Sequence, residues 1–380
     1  MNTDRPLAIA MWDFSWLERR WPGAGYEDWD RVLDELVDRG YDAVRIDPYP
    51  HLIDADPSER HTLAPVWAFH DWGSPTTIAV DRVAASFIDF MGKCRDRHIS
   101  VALSSWYRRD VEGRYTHIAT PQAHARQWAG VLELLETHSL LDSICMVDLC
   151  NEWPMPRWAP YFQGERTFLS DESCDWMRTA CEALQQRFPQ LPYTFSMPHL
   201  PEDVLGHPAD VGFLDIFEPH LWMADAEGKR FCRHIHGTLT PSEGGYDGLA
   251  RLGEATYSHD PAYWQSLLIN TIETATAWSI QQDRPLATTE AWAVVGYKDW
   301  PMLDWGWIKD LCEVGTRAAA AAGRWSMICT SNFCGPQFVG MWRDIAWHRR
   351  LTDAIKSADA PPPAPRLTPT PTPTADAVLA

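Results

Sequence analysis

The sequence predicts an α/β protein, a (β/α)8 TIM barrel with long insertions in the loops after its strands and a disordered C-terminal tail. Three observations carry that prediction. Short apolar runs of strand length alternate with longer stretches of helical period. About eight such pairs fit into roughly 355 residues, within the size range of the fold. The turn after the first run, Trp12-Asp13-Phe14-Ser15-Trp16, has none of the glycines that a doubly wound nucleotide-binding sheet places there.

Leu7-Ala8-Ile9-Ala10-Met11 reads as the first strand. Trp29, Val32, Leu33, Leu36 and Val37 then form a helical stripe, closed by Gly40, the residue a helix C-terminus prefers. Ala43-Val44-Arg45-Ile46 is the second strand, followed by a helix over about 81–97. Ile99-Ser100-Val101-Ala102-Leu103 is the third. Thr120-Pro121 supply the cap and first residue of a helix over about 121–137. Ile144 to Cys150 is the fourth strand, with a helix over about 173–187 behind it. Tyr193-Thr194-Phe195-Ser196 is a weaker fifth, and 199–212 has little helical character.

Phe213 to Phe217 reads as the sixth strand, with a long insertion before a helix over about 261–281. Leu286-Ala287-Thr288-Thr289 is the seventh, followed by a helix over about 304–322. Ser326 to Thr330 is the eighth, and an amphipathic segment over about 338–356 ends the barrel. From 359 onward Pro and Thr dominate and cannot bury a core, so 1–358 is the expected catalytic domain and 359–380 a disordered tail.

The 380 residues are 45% apolar, which excludes a disordered chain. A mean hydropathy of -0.32 and the lack of an apolar run of about 18 residues exclude a membrane span. The 33 Lys and Arg against 52 Asp and Glu give a net charge of -19, a surface that repels phosphate backbones and argues against nucleic acid. Nine scattered Cys without a C-x-x-C pair argue against a disulfide framework or a zinc ribbon. The N-terminus lacks a basic start and a long apolar stretch, so the expectation is a cytoplasmic protein. Twenty-one Trp is high usage, and any not spent on the core suit the flat faces of sugars.

Functional groups of a barrel gather at the C-terminal ends of its strands. Those ends carry Asp13, Arg45 and Asp47, Trp106, Asn151 and Glu152, His220 and Trp222, Glu290 and Trp292, and Asn332. Glu152 and Glu290 belong to the fourth and seventh strands, on opposite sides of the mouth, and can face each other across it. Two carboxylates about 5–5.5 Å apart suit a double-displacement glycosidase, one as nucleophile and the other as acid, then base.

Asp148-Leu149-Cys150-Asn151-Glu152 resembles the fourth-strand signature of the retaining (β/α)8 glycoside hydrolase clan, and most closely glycoside hydrolase family 5. The resemblance implies that Glu152 is the acid/base and that Asn151 donates to the sugar 2-hydroxyl. Thr289-Glu290-Ala291-Trp292 resembles the nucleophile position on the seventh strand. Arg45 matches the arginine that keeps the nucleophile ionised, and His220 matches the sixth-strand histidine. The chain departs from the family elsewhere. It has Ser104-Ser105-Trp106 where a His-Asn pair is usual, Trp222 where a Tyr is usual, and Asn332-Phe333 in place of a platform Trp. With those departures cellulose does not follow as the substrate, and a distant, cellulase-like relative acting on a different or shorter glycoside fits better.

The expected catalytic residues are therefore Glu152 and Glu290. Arg45, Asn151, His220, Trp222, Trp292, Asp13, Asp47, Trp106 and Asn332 are expected to bind substrate. Each has a plainer reading: Glu152 paired with Arg157 or Arg45, Glu290 bonded to Thr288 or Thr289, Arg45 neutralising Asp47. Glu218 is a third candidate carboxylate and Asp148 a buried partner beneath the site. Trp29, Trp128 and Trp264 fall on helical stripes and read as core. The loop from Trp67 to Trp72 reads equally as a pocket wall or as plain packing. A transglycosidase and a non-catalytic sugar-binding barrel are the rival functions. A metal-dependent isomerase is disfavoured because Arg45 would repel the cation, so no cofactor or metal is expected. The expected partner is a carbohydrate, and the oligomeric state is left open.

Overall fold

A continuous parallel ladder of seven strands supplies most of the barrel wall. In spatial order these are Tyr193–Thr194, Ile144–Asp148, Ser100–Ser104, Ala43–Ile46, Leu7–Asp13, Trp325–Cys329 and Leu286–Thr288. This computed structural model describes residues 4–53, 60–66, 70–201, 203–237 and 245–361. The Trp67–Phe69 part of the candidate wall loop and the tail beyond 361 lie outside the described residues.

The sixth stave is where the structure departs most from expectation. Phe213–Phe217 forms no strand; the chain turns there, with Leu214 N bonded to Val211 O at 3.0 Å. The stave lies just downstream, at 217–222, and Pro219 interrupts its ladder because it has no N–H to give. Single bridges remain, Phe217 to Leu286 on one side and Met197 to Pro219 on the other. Beyond them Leu221–Trp222 pairs in parallel with Ala291–Trp292. These contacts close the wall between the fifth and seventh strands.

The helices lie close to expectation. Val83–Asp96, Pro121–Thr137, Asp171–Arg187, Pro261–Gln282 and Gly306–Ala321 each stand within a few residues of the sequence reading. The last amphipathic segment is split into Val339–Trp342 and Ile345–Lys356, with Asp344 capping the second piece through Trp347 N. Trp29–Asp38 shows how such a helix forms: the Asp28 side chain accepts from Arg31 N, and Trp29, Val32, Leu33 and Leu36 are buried against the barrel. Each fully buried Leu or Val of that stripe contributes about 1.5–3 kcal/mol. An antiparallel hairpin, Arg60–Leu63 with Ile78–Asp81, fills the insertion after the second strand.

Every residue of the first, second and fourth strands is buried, as in a parallel sheet covered on both faces. Trp29, Trp128 and Trp264 are core, as expected, and Trp12, Trp16, Trp153, Trp278, Trp292 and Trp325 are fully buried too. Most of the unusual Trp content thus serves packing. All nine cysteines are buried and free. Among the described residues no helix is long and apolar enough to cross a membrane.

Candidate active site

Arg45 organises the mouth of the barrel. Strand periodicity turns Val44 and Ile46 one way and Arg45 the other, into the barrel, where it is fully buried. Nη2 donates to Asp148 Oδ2 at 2.7 Å, to Ser104 Oγ and Asn151 Oδ1 at 2.8 Å each, and to Ser196 Oγ at 3.3 Å. Nη1 donates to Glu290 Oε1 at 2.9 Å, and Glu218 Oε2 stands 3.9 Å from Nη2. The guanidinium also lies over the Trp106 ring, 4.5 Å from its centroid. Burial opposes its charge, but Glu218, Asp148 and Glu290 outweigh burial and raise its pKa. Asp148 is the buried partner expected beneath the site, and no Arg45–Asp47 ion pair occurs.

Because arginine only donates, its bond settles the orientation of the Asn151 amide: the oxygen faces Arg45 and the NH2 is left for a ligand. Glu152 follows in a left-handed conformation at φ 49, with its backbone N bonded to Ser196 Oγ at 2.8 Å. Its Oε2 accepts from Trp158 Nε1 at 2.9 Å, and its Oε1 lies 3.2 Å from His220 Nδ1. Its partners are thus Trp158 and His220, not Arg157. Thr289 bonds Glu218 and not Glu290: Glu218 Oε1 accepts from Thr289 N at 3.0 Å and from Thr289 Oγ1 at 2.5 Å, while Thr288 Oγ1 donates to Pro219 O at 2.9 Å.

His220 is enclosed by three carboxylates. Nδ1 is 3.9 Å from Glu290 Oε2 as well as near Glu152, and Nε2 is 3.6 Å from Glu218 Oε1. Burial works against its charge, yet Glu290, Glu218 and Glu152 together lift its pKa to about 10. Burial likewise raises Glu290, against the pull of His220 and Arg45. Burial acts on Glu152 as well, but the hydrogen bond and charge of His220 prevail and hold it below the ordinary value. At rest, then, Glu152 is ionised beside a charged imidazole.

Glu152, His220 and Glu290 each offer one atom within 4.8 Å of the others, close enough to suggest a metal site. The donor set does not fit one. A divalent ion would have to strip the proton from His220 and sit beside the Arg45 guanidinium.

Above this cluster opens a cavity of about 770 Å3. Asp13, Trp106, Asn151, Glu152, Trp222, Glu290 and Asn332 line it, while Arg45 and His220 stand behind the carboxylates. Trp72, from the described part of the candidate wall loop, lines it as well. Besides Arg45 and His220, two further expected substrate contacts, Asp47 and Trp292, do not line it. Asp47 turns back onto the chain, accepting from Tyr49 N at 2.7 Å and Trp106 N at 3.0 Å; burial nonetheless pushes its pKa up to about 7. Trp292 points into the wall, its Nε1 bonded to Cys329 O at 2.9 Å and its ring pressed on Gly315 of the helix Gly306–Ala321.

Sequence reasoning missed Trp158 and Ser196, which fix the two ends of Glu152. A signal existed for the first: Pro154 and Pro156 force an irregular loop just after Glu152, so an indole there stays near the site. Lys229, in the segment Ala226–His236, also lines the cavity and had no such signal; His199, past the end of the fifth strand, and Arg157 line it as well.

A barrel with a pair of acids facing each other over a buried arginine at its C-terminal mouth defines a protein of the glycoside hydrolase type. The family model described as sugar-binding cellulase-like matches residues 9–356, and the chain belongs to that family, a distant relative of glycoside hydrolase family 5. A candidate glycoside hydrolase from Parabacteroides distasonis is 46% identical, with 94% of this chain and 95% of that one covered at a TM-score of 0.91. GH5_18 from Streptomyces cattleya, solved with GlcNAc, covers 95% of this chain and 83% of its own at 14% identity and a TM-score of 0.52. An endo-β-1,4-mannanase from Thermotoga petrophila covers 94% and 78% at 9% identity and a TM-score of 0.51. The last two likenesses speak for the fold. No curated protein matches the chain.

Proposed function

We propose that the protein is a retaining glycoside hydrolase that cleaves an oligosaccharide or small glycoside by double displacement. The observation that carries this reading is the approach of Glu152 and Glu290, with one oxygen of each within 4.8 Å of the other. Retaining pairs stand about 5–5.5 Å apart, whereas inverting pairs need roughly 6.5–9.5 Å to admit a water.

Glu290 attacks the anomeric carbon as the bond to the leaving oxygen breaks, and Glu152 gives that oxygen its proton. Glu152 then takes a proton from water, whose oxygen displaces Glu290 and frees the sugar with its original configuration. Arg45 on Glu290 Oε1 favours the ionised nucleophile and a good leaving carboxylate. Asn151 offers its NH2 to a sugar hydroxyl.

The resting charges set a condition on this cycle. An acid needs a proton, and the nearest source is His220 Nδ1, 3.2 Å from Glu152 Oε1. Transfer of that proton yields a neutral imidazole and a protonated Glu152 without changing the net charge of the site. A sugar that fills the cavity excludes water from Glu152 and so favours the transfer.

Glu290→Ala tests the reading. Turnover is expected to fall on the order of 10^4–10^6-fold, with azide restoring it as the inverted glycosyl azide, while Glu152→Ala with azide gives the retained one. Hydrolysis at the wild-type rate by Glu290→Ala removes the mechanism. A second reading exchanges the two roles, and the raised Glu290 and lowered Glu152 favour it. The azide products distinguish the two, because exchanged roles exchange their configurations.

A further inference from the structure

The first and eighth strands are neighbours, paired from Leu7 with Met327 to Ile9 with Cys329. Their C-terminal ends are also tied: Trp12 Nε1 donates to Cys334 O at 2.9 Å. This sector of the mouth carries Asp13 and Asn332, each 1% exposed and each lining the cavity. Asp13 sits in a left-handed conformation at φ 45, and its Oδ1 accepts from Ser15 N at 2.5 Å. Asn332 Nδ2 donates to Val295 O at 3.2 Å, which settles which amide atom is its oxygen.

The remaining oxygen of each residue has no hydrogen-bond partner among the described residues: Asp13 Oδ2 and Asn332 Oδ1 are both buried and unsatisfied. A buried polar atom left in that state costs about 1–3 kcal/mol, and such atoms are rare. The cavity is also lined by Met11, Phe14 and Val294, whose side chains are apolar and offer nothing to bond. A ligand with hydroxyls on one edge would satisfy both.

We propose that Asp13 Oδ2 and Asn332 Oδ1 hold two hydroxyls on one edge of the sugar in the reactive subsite, and so select a glycoside that carries both hydroxyls free. The inference rests on the glycosidase reading and adds the substrate feature that the site demands. A sugar hydroxyl both donates and accepts, so it donates to the Asn332 carbonyl without difficulty. At Asp13 the burial of the carboxyl, with Glu18 and Glu290 nearby, favours the neutral acid, which donates to the sugar. An asparagine there would also donate.

The test is calorimetry on the full chain carrying Glu290→Gln. The probes are the nitrophenyl glucosides, mannosides and galactosides in both anomers, with their 2-, 3-, 4- and 6-deoxy analogues. At least one parent is expected to bind, with two of its deoxy analogues about tenfold weaker or worse. Adding Asp13→Ala should erase the penalty for one missing hydroxyl and adding Asn332→Ala the penalty for the other; Asp13→Asn, which keeps the shape, should preserve it. Equal penalties in all variants overturn the inference and leave the glycosidase reading intact. No binding of any parent, together with no hydrolysis by the wild type, overturns the glycosidase reading and this inference with it.

Discussion

Arg45 Nη1 stands 2.9 Å from Glu290 Oε1 inside the barrel, where the guanidinium is fully buried and the Glu290 side chain, 11% exposed, opens to the cavity. The same side chain answers Asp148 and Glu218, so one cation serves three carboxylates. Its removal leaves Asp148 buried without a cation and Glu218 and Glu290 with His220 alone. Arg45→Met is therefore expected to lower unfolding free energy by about 3–5 kcal/mol in urea titration. Arg45→Lys should recover little of it, because an ammonium cannot reproduce the fork that spans Glu290 and Asp148. An unchanged urea midpoint in Arg45→Met would refute the central role of that cation.

His220 predicts a pH dependence with a definite sign. Its folded pKa of about 10 lies above the ordinary histidine value of about 6.5. The folded state therefore binds the proton more tightly. This stabilisation is complete below about pH 6.5 and is lost as pH rises through about 10. Asp47, lifted to about 7, has the same sign at lower pH, and the buried cysteine thiols, raised by burial, add a fall above pH 8 that wild type and variant share, so His220 is read from the difference between the two. Urea midpoints of the wild type should fall between pH 8 and 10 more steeply than those of His220→Gln. Parallel slopes would contradict the charged imidazole.

Gly315 has no room for a methyl group. A Cβ there would meet the Trp292 ring at 2.5 Å, and that ring is anchored through Nε1 to Cys329 O. Gly315→Ala should cost about 1–3 kcal/mol despite alanine's better helix propensity. A stabilised Gly315→Ala, read by thermal melting, would show that Trp292 is free to move.

Trp158 donates to Glu152 Oε2 and favours its ionised form. Trp158→Phe removes the donor and keeps a ring, so the Glu152 pKa should rise. If Glu152 is the acid, the basic limb of kcat/KM against pH moves to higher pH. A limb that stays in place, with folding intact, would separate Trp158 from the proton donor.

The barrel was legible because buried parallel strands are apolar throughout, and seven of them show as such runs. The sixth was not. Its apolar run at 213–217 begins in a turn, and around Pro219 the true stave has only single bridges before the short Leu221–Trp222 pairing. Arg45 was legible from its place at the end of the second strand and its match to the family's arginine; that it answers Asp148, Glu218 and Glu290 rather than Asp47 was not.

Trp292 and Asp47 were expected at the mouth because they stand at strand ends. Asp47 lies just past Ile46, where the period of two no longer fixes direction, whereas Trp292 sits in the short parallel pair with Leu221–Trp222 and its ring turns into the wall. Asp13 and Asn332, also past or at strand ends, do reach the cavity, and no pattern in the sequence separates them from Asp47.

The approach of Glu152 to Glu290 is tested most directly by proton NMR of the first sugar released from the glycoside that the wild type turns over fastest, recorded before the anomers equilibrate. Double displacement by this pair predicts the same anomeric configuration as the substrate. First release of the opposite anomer would contradict it.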